Sequence, residues 1–295
     1  MKRLFSAYVI VDWSAASKPT TGADSIWIGV VKRDVRFRLA FEAFNLPTRL
    51  EAEKKLASIL DDFKKRSERV LLGFDFPLGF PRGFSDALKL ASEQPWLAVW
   101  NQIDKMVKDK PGNTNNRFGV ASEVNRRITG GPFPFWGCPP KDALTTLQPK
   151  RPREHGEGDL PEMRHADTAA KAASIWKLYY AGSVGGQAIL GIPLAKRLHA
   201  ARAAKVWPFE TGWKALDGAD LDSVEVLIAE VYPSLFKAQP QPGEAKDQAQ
   251  VRVTAEHFAR LDEAGKLGAV FAAPKGASEQ LVAEVEREEG WILGA

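Results

Sequence analysis

Four carboxylates stand where an apolar chain tolerates charge least. Asp12 closes the run YVIVD, Asp75 closes VLLGFD, Glu230 lies near the end of VLIAEVYPS, and Asp247 opens KDQAQVRVTAEHFARL. A carboxylate ending a buried run is costly unless it is paired, binds a cation or keeps its proton. Acids converging from separate elements suit a hard divalent cation such as Mg²⁺ or Mn²⁺, which takes oxygen ligands and often completes its shell with substrate phosphate. Two such ions clamp the attacking and leaving oxygens of a phosphodiester displacement. Asp12, Asp75 and Glu230 are therefore the expected metal ligands and, with Asp247, the expected catalytic set. The aspartates also have a plainer reading: Asp75 caps the turn made by FPLGFP, and Asp12 bonds Ser14 or the amides that follow it.

Two further segments carry groups that bind anions. In WKLYYAGSVGGQAILGIPL (176–194) the stretch GSVGGQ separates two helical patterns and exposes backbone amides, with Lys177 within reach. It matches neither GxxxxGKS nor GxGxxG and follows no strand, which favours a tight inter-helix turn requiring positive φ. The segment NTNNRFGVASEVNRR (113–127) gathers Asn116, Arg117, Glu123, Asn125, Arg126 and Arg127, and Arg164 and His165 follow in PEMRHADT. Arginine forks match phosphate oxygens, whereas a solvated helix face with internal ion pairs explains the same residues without a ligand. Arg117, Lys177 and Ser14 are the expected substrate contacts.

The elements that must position these groups are readable from periodicity. Residues 7–12 form a buried strand. Residues 25–31 and 35–44 form a hairpin about Lys32-Arg33-Asp34, with Val35, Phe37, Leu39 and Phe41 on its apolar face. Thr48 and Glu51 make a capping box for a helix over 49–66, whose apolar face is Leu50, Leu56, Ile59, Leu60 and Phe63. Residues 70–75 are the next strand, and a right-handed crossover lays it parallel to the first, bringing Asp12 beside Asp75. Helical patterns cover 85–109, 166–180 and 193–203. A strand spans 224–232, helices cover 246–263 and 277–288, and the strand-like WIL follows. The expected architecture is one α/β domain over 1–295, with a core of 1–84 and 221–295 and a mainly helical insertion at 85–220.

Bulk composition narrows the class. A chain of 295 residues that is 44% hydrophobic can bury a full core, and 41 Lys and Arg against 37 Asp and Glu leave it mildly basic. That balance is compatible with a nucleic acid or nucleotide partner. Cys138 is the only cysteine, so neither an internal disulfide nor a cysteine-built zinc site can form, and the four histidines show no HExxH spacing. The apolar stretch at the N-terminus is too short for a membrane span and has no small-residue cleavage site, which predicts a cytoplasmic protein with no membrane partner.

The motifs VDWSAASKP, GFDFPLGFP, EVYPSLF, KDQAQVR and EGWILG resemble the family catalogued as domain of unknown function 429, and the resemblance covers essentially the whole chain. Members of that family are predicted to be nucleases of ribonuclease H-like fold. The resemblance implies a mixed sheet, an antiparallel hairpin plus parallel strands, flanked by helices and carrying a large mainly helical insertion. Asp12, Asp75 and Glu230 look like the core acids of that fold, with Asp247 the looser match. A metal-dependent nuclease or phosphodiesterase follows, with Mg or Mn activating water. One alternative is an actin-like nucleotide-binding or phosphotransfer enzyme using Ser14-Ala15-Ala16-Ser17 and GSVGGQ, although no glycine-rich turn follows Asp12. A non-catalytic binding or scaffold protein of the same fold is the other.

Overall fold

The computed structural model describes residues 3–295. Strand β1 (Ala7–Asp12) is followed by β2 (Ile26–Arg33) and β3 (Leu39–Leu46), then helix α1 (Arg49–Lys65) and β4 (Val70–Phe74). Next come α2 (Phe84–Ala87), α3 (Pro95–Met106), α4 (Arg117–Ile128), α5 (His165–Ala170), α6 (Gly185–Ala201), the short strand β5 (Ala204–Val206) and β6 (Val226–Glu230). The chain closes with α7 (Lys246–Glu263), α8 (Leu267–Val270) and α9 (Glu279–Glu284), which runs into a π turn at Val285–Glu289.

These strands form one mixed sheet in the order β3-β2-β1-β4-β6-β5. The β1–β2 and β2–β3 pairs are antiparallel, and β1–β4, β4–β6 and β5–β6 are parallel. The architecture is therefore α/β with helices on both faces. The central strands are continuous apolar runs because each is covered on two sides. On one face Val9, Val11, Leu72, Phe74 and Ile228 pack against Leu56 and Leu60 of α1, Trp100 of α3, Val124 of α4 and Ile189 of α6. On the other, Tyr8, Ile10, Leu71, Leu227 and Ala229 meet Val251, Ala255 and Phe258 of α7 together with Trp291, Ile292 and Leu293.

Half of the expected capping box forms: Thr48 Oγ1 accepts from Glu51 N at 3.2 Å, but Glu51 Oε1 accepts from the Thr48 hydroxyl and not from its amide. Several boundaries move. The hairpin turn lies at 34–38, not at Lys32-Arg33-Asp34, because Asp34 Oδ1 accepts from the amides of Arg36 and Arg38 and locks a local turn. Val35 and Phe37, expected on the apolar face, are therefore 96% and 77% exposed. Leu50 is also on the outside of α1. The helix expected over 166–180 stops at Ala170, where Lys171 adopts φ +52. The stretch GSVGGQ is not only a turn: Gly182 has positive φ, but Gly185, Gly186 and Gln187 form the first turn of α6. Strand β5, from within residues 85–220, joins the edge of the sheet beside β6.

A candidate active site at the carboxyl ends of the parallel strands

Register decides which acids meet. Val11 is level with Phe74, and Phe74 is level with Glu230. Asp12 and Asp75 each lie one residue further on, tied by the bond from Asp75 N to Val11 O at 2.9 Å. Because neighbours in register share a face and successive residues alternate, Asp12 and Asp75 face the α7 side while Glu230 faces the opposite side. Trp27, level with Asp12, belongs to the same α7-side core.

The expected triad is therefore split by pleat parity. Glu230 is buried and engaged: Arg164 Nη1 and Nη2 donate to its two oxygens at 2.7 and 2.6 Å, and Leu78 N donates at 3.0 Å. Arg164 also holds Asp167 through Nε and Nη2, and donates to the Glu289 carbonyl at 3.0 Å. Burial pushes the Glu230 carboxyl up while Arg164 pulls it down. This network ties β6 to residues 78–85 and to the C-terminal turn. Glu288 accepts from the amides of Gly83 and Ser85, Glu289 from those of Arg82 and His165, and Leu293 N donates to Glu230 O. Arg164, first grouped with a phosphate-binding shell, acts here as the counter-charge of Glu230.

Asp12 and Asp75 have no such partner. Burial is the largest influence on each, and it raises both pKa values. Asp75, Asp247 and Asp24 then add to the rise at Asp12, and Glu230 and Asp247 add to that at Asp75, which reaches about 7. No base offsets either shift. Asp247 approaches from the first turn of α7, where its Oδ2 accepts from Asp24 N at 2.8 Å. Asp24 is the acid the sequence reading missed. It sits in the polar loop before β2 at φ +54, with no apolar run to mark it.

These residues line one wall of a cleft of about 920 Å³ that includes Asp12, Asp24, Asp75, Asp247, Lys246 and Gln250. The same cleft is lined by Trp13, Ser14, Arg117, Tyr179, Tyr180, Gly186 and Gln187, and by Glu230. Ser14 is structural in its contacts: its Oγ donates to Asp24 O and accepts from Ala16 N. Buried Arg49 clamps the 14–17 loop, donating to the carbonyls of Ser14 and Ala16 while pairing with Asp109. Lys177 does not line the cleft; its Nζ donates to Ala181 O at 2.6 Å and braces the loop before α6. Glu123 pairs with Arg126 and Arg127 on the exposed side of α4, and Asn125 is spent on the backbone of Phe135 and Thr146.

Among the described residues no group of three or more His, Cys, Asp or Glu side chains is arranged to hold a metal ion by itself. No helix among them is long and apolar enough to cross a membrane. No protein-family model, curated protein or solved structure matches the sequence.

Proposed function

We propose that this chain is a metal-dependent phosphodiester hydrolase of ribonuclease H-like fold, in keeping with its resemblance to the family of domain of unknown function 429. The observation that carries the reading is the Asp12–Asp75 pair: two carboxylates on adjacent parallel strands, on one face, with raised pKa values and no basic partner. The β3-β2-β1-β4 order, antiparallel up to β1 and parallel from β1 to β4, supports the fold part of the reading.

The donor chemistry fits Mg²⁺ or Mn²⁺. Two uncompensated carboxylates are a sufficient protein contribution where water and substrate phosphate supply the remaining ligands. Asp12 and Asp75 would hold the ion, and Glu230, committed to Arg164, would not. When bound, the ion supplies Lewis acidity toward a phosphoryl oxygen and a more acidic water. Asp247 and Asp24 stand behind the pair and keep the wall electronegative. Arg117, which lines the same cleft, would balance charge on a phosphate group.

Thermal melts with Mn²⁺ and hydrolysis of bis(p-nitrophenyl) phosphate test the proposal. Mn²⁺ is expected to raise the melting temperature of the wild type but not of Asp75→Asn, and Mn²⁺-dependent hydrolysis is expected only from the wild type. Equal Mn²⁺ stabilisation of both proteins would remove the metal site from this pair.

A further inference from the structure

The cleft also holds a buried cation without an ion pair, set over the Phe118 ring at 4.2 Å. Arg117, the first residue of α4, is only 6% exposed. Its Nη1 donates to Ser17 Oγ at 2.9 Å and to Asn115 Oδ1 at 3.0 Å, both neutral groups. Its Nε has no hydrogen-bond partner, and among the described residues no carboxylate lies within ion-pair distance of the guanidinium. Burial and the neighbouring Arg49 lower its pKa to about 10, so it remains a cation at neutral pH. A buried charge left this way requires a counter-ion.

The first turn of α6 meets Arg117 at this place. A Cβ on Gly186 would lie 3.0 Å from Leu178 O, 3.2 Å from the Ala15 Cβ and 3.3 Å from Arg117 Cδ, so glycine lets the helix end come this near without displacing its neighbours. Gly185 N is taken by Lys177 O and Ala188 N by Val184 O, while the amides of Gly186 and Gln187 have no acceptor among the described residues. No side chain caps the helix, which is seventeen residues long and carries the positive end of its dipole here. Gln187 Nε2 donates to Trp13 O, tying this turn to the end of β1, and the buried indole Nε1 of Trp13 is a second donor without a partner. Beside these groups Tyr179 and Tyr180 are 38% and 46% exposed, with ring centroids 4.8 Å apart. Tyr180 is held at φ +75 with its hydroxyl on Cys138 O.

Resting on the hydrolase reading above, we propose that Arg117 and the amides of Gly186 and Gln187 form a phosphate subsite separate from the Asp12–Asp75 pair. The substrate class that spans both is a nucleotide strand, with a second phosphate in this subsite and a base on Tyr179 and Tyr180. Donors without acceptors and acceptors without donors line the same cleft, a set complementary to a phosphate chain bridging them through a divalent ion. The rings stand at 61° to one another, so a nucleobase would stack on one exposed face, that of Tyr179, with Tyr180 at its edge.

Calorimetry in EDTA with inorganic phosphate and with AMP isolates this subsite from the metal. Wild type is expected to bind phosphate in the millimolar range and AMP at least fivefold more tightly. Arg117→Lys, which keeps the charge but loses the guanidinium fork, is expected to weaken both at least tenfold. Tyr179→Ala is expected to weaken AMP alone. Absence of phosphate binding by the wild type, or unchanged binding by a folded Arg117→Lys, overturns the subsite. AMP binding no tighter than phosphate overturns the nucleotide assignment. Mn²⁺ stabilisation, measured on the same Arg117→Lys protein, reports the acid pair independently, so failure of one site is not mistaken for failure of the other.

Discussion

Replacing Asp75 with asparagine is expected to make the metal-free protein more stable, although it removes a proposed ligand. The carboxylate takes no hydrogen bond from the protein and faces other acids, so the substitution deletes a cost and little else. Its pKa rises from 3.8 in a free chain to about 7 in the fold. A raised folded-state value means that the native state binds the proton more tightly. The native state is therefore favoured at low pH and penalised as pH climbs from about 4 through 7. A shift of about 3 units corresponds to about 4 kcal/mol at pH 8, and relief shared with Asp12, which titrates with Asp75, brings the expected gain to about 2–4 kcal/mol. In a chain of this size that raises the melting temperature by about 4–8 °C. Urea denaturation in EDTA at pH 8, 6.5 and 5 measures it: the gain of Asp75→Asn over wild type is largest at pH 8 and shrinks as pH falls toward 4. Saturating Mn²⁺ reverses the order at pH 8 by stabilising only the wild type. A variant no more stable than wild type at pH 8 in EDTA, or one with the same advantage at every pH, refutes the assignment of an uncompensated charge.

Three other substitutions probe neighbouring features. Glu230→Gln leaves Arg164 partly unpaired in the interior and is expected to cost about 3 kcal/mol in urea denaturation, yet to keep the Mn²⁺ shift; loss of that shift would return Glu230 to the metal set. Gly191→Ala places a methyl against the Phe76 ring, where a Cβ would lie 2.4 Å from the nearest ring atom, next to Asp75. It is expected to cost about 1–3 kcal/mol by overpacking, read in the same denaturation assay. Arg49→Lys loses the fork that spans Asp109 and the carbonyls of Ser14, Ala16 and Asn113. It is expected to cost about 2–3 kcal/mol and to speed proteolysis between Ser14 and Thr20 more than elsewhere.

Much of this arrangement was legible in the sequence because it depends on local rules. The apolar runs ending in Asp12 and Asp75, the Thr48–Glu51 cap and the amphipathic α1 together place two strands side by side, and they do so here. Glu230 was misread for a reason no run of residues displays. A buried strand has no alternation to show which side a residue faces, and a register offset of one residue turned Glu230 toward Arg164, although it still lines the cleft beside Asp75. The first turn of α6 was read as a loop because glycines mark both turns and close approaches, and only the proximity of Arg117 and Ala15 separates the two. Val35 and Phe37 kept strand alternation into a turn governed by one aspartate. Asp24 lay outside every pattern and is joined to the site through Asp247 and Ser14.

The network around Glu230 also bears on the order in which the molecule comes into being. The amides of 82, 83 and 85 and the β6 carbonyl are closed by Glu288, Glu289 and Leu293, about two hundred residues later in the chain than β4. During synthesis β1 to β4 emerge early with Asp12 and Asp75 already on one ribbon, but the α7-side face that carries them stays uncovered until α7 and residues 291–293 pack on it. A nascent chain stalled before Val285 has the acid pair on its two central strands but lacks Trp291, Ile292 and Leu293 over that face, and its Arg164 lacks the Glu289 carbonyl. The face that carries the acids is thus closed only once residues 285–293 are in place.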